Sequence, residues 1–179
     1  MQEVMIDLET LSTQYNAVIL TIGAIKFDRD GKINDIKKLN KEIFYRRITI
    51  DSCKELGLHV DSKTVDWWKS LDQKIYDEAF GKDRISLRDA LIEFSIWFGK
   101  LEKVWSNGAG FDIPILENAY RVCGLQTPWK FWNVRDTRTM YDLANITKKD
   151  LGDENEHHAV YDCWRQIYGV QESMRRLKQ

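Results

Sequence analysis

The apolar residues keep one period over the first fifty positions and a different one afterwards, and this change limits the folds open to the chain. Val4-Met5-Ile6 is a short apolar run ending at Asp7. Residues 17–27 are rich in β-branched side chains and stop at the turn signal Asp28-Arg29-Asp30-Gly31. Strand-like stretches continue over 33–50, with 42–50 the clearest. Strands that follow one another directly pair antiparallel, so the chain is expected to open as a β-meander.

After Ile50 the spacing lengthens to three and four residues. Asp61-Ser62 is placed to cap a helix through Thr64-Val65-Asp66-Trp67-Trp68. Ser86 is placed to cap another, along Leu87, Ala90, Leu91, Phe94, Trp97, Phe98 and Leu101. Residues 103–106 read as a short strand, and 111–122 as a helix with Pro114 in its first turn and Gly124 past its end. A further strand is expected at 131–134 and a helix at 137–144. The last helix is expected over 157–177, with Val160, Trp164, Ile167, Gln171 and Met174 on one stripe. The whole predicts an α/β fold, an antiparallel meander followed by parallel strands in one mixed sheet flanked by helices. The 179 residues hold two prolines and no Ser/Gly-rich linker, so residues 1–179 are expected to form one domain.

Charge and cysteine usage remove several functions. With 27 Lys+Arg against 28 Asp+Glu the net charge is −1, which argues against coating nucleic acid or membrane through bulk positive charge. Cys53, Cys123 and Cys163 form no CxxC pair, excluding a disulfide framework and disfavouring a cysteine-based zinc site. Neither a long apolar span nor a basic-then-apolar leader is visible, so a cytoplasmic protein without membrane contact is expected.

Three acidic constellations carry chemistry. Asp7-Leu8-Glu9 puts two carboxylates on one face of a strand with Leu8 toward the core. Side by side they repel, and each raises the other's pKa unless a cation intervenes. Asp112 follows Asn107-Gly108-Ala109-Gly110-Phe111, where a helix N-cap is the plainer reading. The third, His157-His158-Ala159-Val160-Tyr161-Asp162, would put His157 and Asp162 roughly 140° apart around a helix, reaching one pocket from two sides. His158 and Asp162, four apart, have a surface pair as their alternative.

In this order the motifs resemble those of the DEDDh 3′–5′ exonucleases, DnaQ-like members of the ribonuclease-H-like superfamily. Met5-Ile6-Asp7-Leu8-Glu9-Thr10 is similar to the first family motif, the Asn107 to Leu116 stretch to the second, and the His157 to Asp162 stretch to the third. A phage and prophage subgroup, resembling exodeoxyribonuclease DexA and the exonuclease VIII-associated domain, is also similar at Thr64-Val65-Asp66-Trp67-Trp68, Pro128-Trp129 and Arg135-Asp136-Thr137-Arg138-Thr139. The resemblance implies a metal-dependent exonuclease that hydrolyses single-stranded DNA or RNA from the 3′ end and releases nucleoside 5′-monophosphates. It implies two divalent cations, Mg²⁺ or Mn²⁺, held by Asp7, Glu9, Asp112 and Asp162, with His157 as general base and His158 the alternative. A homodimer is open by the same resemblance. Asp136, beside Thr137, reads as a cap and is kept outside the metal set.

The resemblance also implies substrate contacts at Thr10 and Leu11, after the first motif. Phe111 is expected to stack on a base, with a core position as the alternative, and Asn107 to bond the strand. On a helix only one of Trp67 and Trp68 readily faces the core, and Trp68 is taken as the exposed one. Residues 145–156 are polar and lead into His157, which fits a solvated loop or a lid. Two other functions remain: a ribonuclease-H-like endonuclease, and a nucleic-acid-binding domain without catalysis.

Overall fold

The computed structural model describes residues 2–31, 41–108, 110–152 and 157–179. Strands β1 (Gln2–Thr10), β2 (Ile19–Asp28) and β3 (Ile43–Ile48) form the meander, with Asp7 opposite Gly23 and Gly23 opposite Tyr45. The strand-like reading at 33–40 lies outside the described residues. Three short strands join in parallel: β4 (Arg84–Ile85) on β3, β5 (Val104–Ser106) on β1, and β6 (Val134–Asp136) on β5. The order β4-β3-β2-β1-β5-β6 is the expected mixed sheet, antiparallel and then parallel.

Parallel neighbours need crossovers, and helices supply them. Between β3 and β5 run α1 (Ile50–Lys54), α2 (Ser62–Ser70), α3 (Gln73–Ala79) and α4 (Leu87–Phe98). Between β5 and β6 runs α5 (Asp112–Val122), and after β6 come α6 (Thr137–Leu143), α7 (Lys148–Leu151) and α8 (Ala159–Leu177). The expected caps are present: Asp61 accepts from the Lys63 N–H at 2.8 Å and Ser86 Oγ from the Asp89 N–H at 3.1 Å.

Alternation along β1 sorts the core into two layers. Val4, Ile6 and Leu8 pack with Leu91, Phe94 and Phe98 of α4 and with Leu116 of α5. Met5 faces the other way, against Val160, Cys163, Ile167 and Val170 of α8. Asp7 and Glu9 share the period of Met5, so the acids stand where α8 covers the sheet.

Two boundaries and one helix face differ from expectation. The strand expected at 131–134 begins only at Val134, because Val104–Ser106 pairs with Val134–Asp136, and Phe131–Asn133 forms a 3₁₀ turn instead. The last helix begins at Ala159, since His158 takes the N-cap and His157 has φ +66°. Its buried stripe runs through Cys163 and Val170, leaving Gln171 and Met174 only half-buried. Among the described residues no helix is long and apolar enough to cross a membrane.

Candidate active site

The carboxylates meet because β1 and α8 bring alternate residues to one place. Asp7, Glu9 and Asp162 each offer an oxygen, and the three oxygens lie within 4.8 Å of one another. They line a cavity of about 480 Å³ together with Asp112, His157 and Gln166. Asp112 opens α5, and its Oδ1 accepts from the Leu8 N–H at 3.1 Å, tying the second motif to the first. It does not cap its own helix.

Enclosure makes this cluster electrostatically unfavourable when empty and ionised. Burial, followed by repulsion from Asp112, Glu9 and Asp162, pushes the Asp7 carboxyl well above its ordinary value. Burial and the same kind of repulsion push Glu9 up to about 8, and burial raises Asp112 to about 7. Against this, Gln166 Nε2 donates to Asp7 Oδ1 at 2.7 Å and Arg165 pairs with Asp162. The three clustered ligand atoms are all hard carboxylate oxygens, with no thiolate among them. A donor set of that kind fits Mg²⁺ or Mn²⁺, and a divalent cation would offset both the burial and the repulsion that raise these pKa values.

The two histidines separate. The His157 ring lines the cavity and stands edge-on to the Trp67 indole, centroids 5.0 Å apart at 88°. Its backbone N–H donates to Asp162 Oδ2 at 3.0 Å. His158 turns away: its Nδ1 accepts from the Val160 N–H at 3.2 Å and its ring stacks on Tyr45. Burial lowers the His158 pKa, with Glu78 acting in the opposite direction.

The expected substrate contacts divide as well. A second cavity of about 470 Å³ adjoins the first, and Glu9 and Phe111 line both. Thr10 lines this second cavity, and Asn107 lines the first. Leu11 is a core residue: its N–H and C=O are used by Val18 and Asp61, and it lines neither cavity. The exposure of the tryptophan pair is also reversed. Trp68 is 1% exposed, because its Nε1 donates to the Thr10 carbonyl at 2.9 Å, while Trp67 is 41% exposed. Both still line the second cavity.

Sequence reasoning missed Gln166, while Arg138 was named only within the 135–139 stretch. Gln166 lies four residues beyond Asp162 on the same helical face, a spacing that could have drawn attention to it. Asp136 caps α6 by accepting from the Arg138 N–H at 3.1 Å. The part of the 145–156 stretch that is described includes α7, held to α8 by Arg176 and Asp150 at 2.6 Å, and is therefore not all loop; 153–156 lie outside the described residues.

A mixed sheet of this order brings together acids from the end of β1, the start of α5 and the start of α8. The family model described as the 3′–5′ exoribonuclease Rv2179c-like domain matches residues 2–174, and the chain belongs to that family. It is a nuclease hydrolase of the 3′–5′ exonuclease family. An exodeoxyribonuclease of Enterobacteria phage T4 is 24% identical over 207 residues, covering 98% of this chain and 90% of that protein. Among solved structures, E. coli Exonuclease I in complex with a dA16 oligonucleotide superposes with a TM-score of 0.61 at 17% identity, over 95% of this chain. Cell-death related nuclease 4 superposes with a TM-score of 0.59 at 13% identity, over 97% of this chain. The chain spans 40% of the first of these solved proteins and 64% of the second.

Proposed function

We propose that residues 1–179 form one metal-dependent exonuclease domain that removes nucleoside 5′-monophosphates from the 3′ end of single-stranded nucleic acid. The observation that carries this reading is the convergence of Asp7, Glu9 and Asp162 within 4.8 Å, beside His157, in one open cavity. Asp7, Glu9, Asp112 and Asp162 would hold two divalent cations, Mg²⁺ or Mn²⁺. Bound there, such cations supply Lewis-acid stabilisation to the charge that builds on the reacting phosphodiester.

The protein's own residues do the rest. An imidazole nitrogen of His157 takes the proton of the attacking water, and the Trp67 indole limits where that ring can stand. Gln166 fixes one Asp7 oxygen, so the other would be available to hold a cation. Asp112 is anchored on Leu8 N–H, so the carboxylates of β1 and α5 keep a common frame. Phe111 and Trp67, on the walls of the adjoining cavity, give the terminal base apolar faces to stack on. The enzyme is read as cytoplasmic, with a homodimer as its open assembly state.

The test uses one sequence as 5′-labelled single-stranded DNA and RNA, with Mg²⁺, Mn²⁺ or chelator. Stepwise shortening from the 3′ end that requires the metal supports the reading, and the faster substrate gives the sugar preference. Cutting of a circular single strand would move the assignment to an endonuclease, and hydrolysis unaffected by chelator would remove the metal mechanism.

A further inference from the structure

The Arg135-Asp136-Thr137-Arg138-Thr139 stretch has no part in the reaction as described, yet it clasps the second motif. Asp136 Oδ1 accepts from the Gly108 N–H at 3.0 Å, and its Oδ2 accepts from Thr139 Oγ1 at 2.9 Å. The Thr137 hydroxyl, fully buried, donates to Asn107 Oδ1 at 2.9 Å. Arg135 is spent locally, its Nη1 donating to the Trp132 and Val134 carbonyls.

Arg138 is different. Its side chain is exposed and lines the acidic cavity. Among the described residues its guanidinium makes no hydrogen bond or ion pair, in contrast to Arg165, which pairs with Asp162. It lies over the Gly108 backbone, where a Cβ would stand 3.3 Å from its Cζ. Gly108 has φ +99°, so glycine is needed there both for the backbone and for the guanidinium's seat.

We propose that Arg138 is the phosphate-binding side chain of this site, its guanidinium holding a non-bridging oxygen of the 3′-terminal phosphodiester and then the 5′-phosphate of the released mononucleotide. The inference rests on the proposed exonuclease reading. A wall of carboxylates repels a phosphodiester, and a planar guanidinium lining the same cavity offers paired N–H donors that match phosphate geometry. The lysine ammonium carries the same charge without that fork.

The test titrates thymidine 5′-monophosphate and uridine 5′-monophosphate, each with Mn²⁺, into wild type, Arg138→Gln and Arg138→Lys, with thymidine as the phosphate-free control. Arg138→Gln should weaken mononucleotide binding by about tenfold to a hundredfold and leave thymidine binding unchanged. The slope of log affinity for a single-stranded oligonucleotide against log salt should fall by about 0.7, as for the loss of one phosphate contact. Arg138→Lys should keep the salt slope and recover only part of the affinity. Unchanged mononucleotide affinity and salt slope in Arg138→Gln overturn the proposal, even if the variant melts earlier, because a packing role moves neither quantity. Failure of wild type to shorten 3′ ends defeats the exonuclease reading instead, while the mononucleotide titration still reports on Arg138.

Discussion

The backbone N–H of His157 donates to Asp162 Oδ2 at 3.0 Å, so the residue two positions ahead of α8 is locked to a carboxylate in that helix's first turn. His157 stands in the left-handed region at φ +66°, and this directs its ring into the cavity while His158 takes the cap. The bond also fixes one Asp162 oxygen, coupling the histidine's place to that carboxylate.

The two histidines should therefore fail differently. His157→Ala is expected to reduce hydrolysis by about 10²–10⁴-fold, the usual scale for losing a general base, with little change in melting temperature. His158→Ala removes the cap and the Tyr45 stack, which should cost about 1 kcal/mol and lower Tm by roughly 2–4 °C while hydrolysis persists. Initial rates on a labelled oligonucleotide beside thermal melts decide the matter. Abolition of hydrolysis by the His158 change alone would reverse the assignment.

The acidic cluster sets a pH dependence whose sign follows from the raised carboxyls. Glu9, at about 8 in the folded protein against an ordinary 4.5, keeps a proton that the unfolded chain releases between those values. The folded state then binds more protons, so stability is full below about pH 4.5 on this account and is lost as pH rises toward 8. Asp7 and Asp112 act in the same direction. In chelator, Tm should fall from pH 5 to pH 8 by on the order of 5–10 °C. Mn²⁺ should restore it, and by more at pH 8 than at pH 5, because the ligands must be deprotonated to bind. A Tm that is flat across this range, and indifferent to Mn²⁺, would contradict the coupling.

The tryptophan pair gives a third prediction. Trp68 is buried against Phe80 and Thr10, so Trp68→Ala should cost about 3–5 kcal/mol and endanger folding. Trp67→Ala should fold, yet lose about 1–3 kcal/mol of oligonucleotide affinity, the worth of one stacked base. Melting and fluorescence-anisotropy binding separate the two. Wild-type affinity in Trp67→Ala would remove the stacking role.

What was legible in the chain follows its periods. That Asp7 and Glu9 share a face is legible in the sequence, because a strand's alternation leaves no freedom about it. A helical pair such as Trp67-Trp68 has no such constraint. Which indole turns inward depends on the Thr10 carbonyl, 58 positions away in sequence. The same holds for Arg138, whose side chain lies beside Gly108 and leaves no periodic trace, whereas Gln166 is marked only by its spacing of four from Asp162. The spacing of His157 and Asp162 was visible, but its geometry was not, because one left-handed residue removes His157 from the helix that the apolar stripe implied.

Gly23 offers the last test, since it lets α8 approach the sheet. It pairs with Asp7 across β1 and β2, and a Cβ there would lie 2.6 Å from Ala159 Cβ and 2.9 Å from Val160 N. Both atoms are held in the first turn of α8, close to Asp162, so the helix has to shift as a body. Gly23→Ala should cost about 1–3 kcal/mol through overpacking. Its effect on hydrolysis should be larger, about 10²-fold, because a displacement near 1 Å separates Asp162 from the β1 acids. Assays run well below the variant's Tm, with Mn²⁺ titrated in parallel, distinguish misplacement from unfolding. Full activity and unchanged Mn²⁺ affinity in a folded Gly23→Ala would show that the contact between α8 and β2 does not set the spacing of the carboxylates.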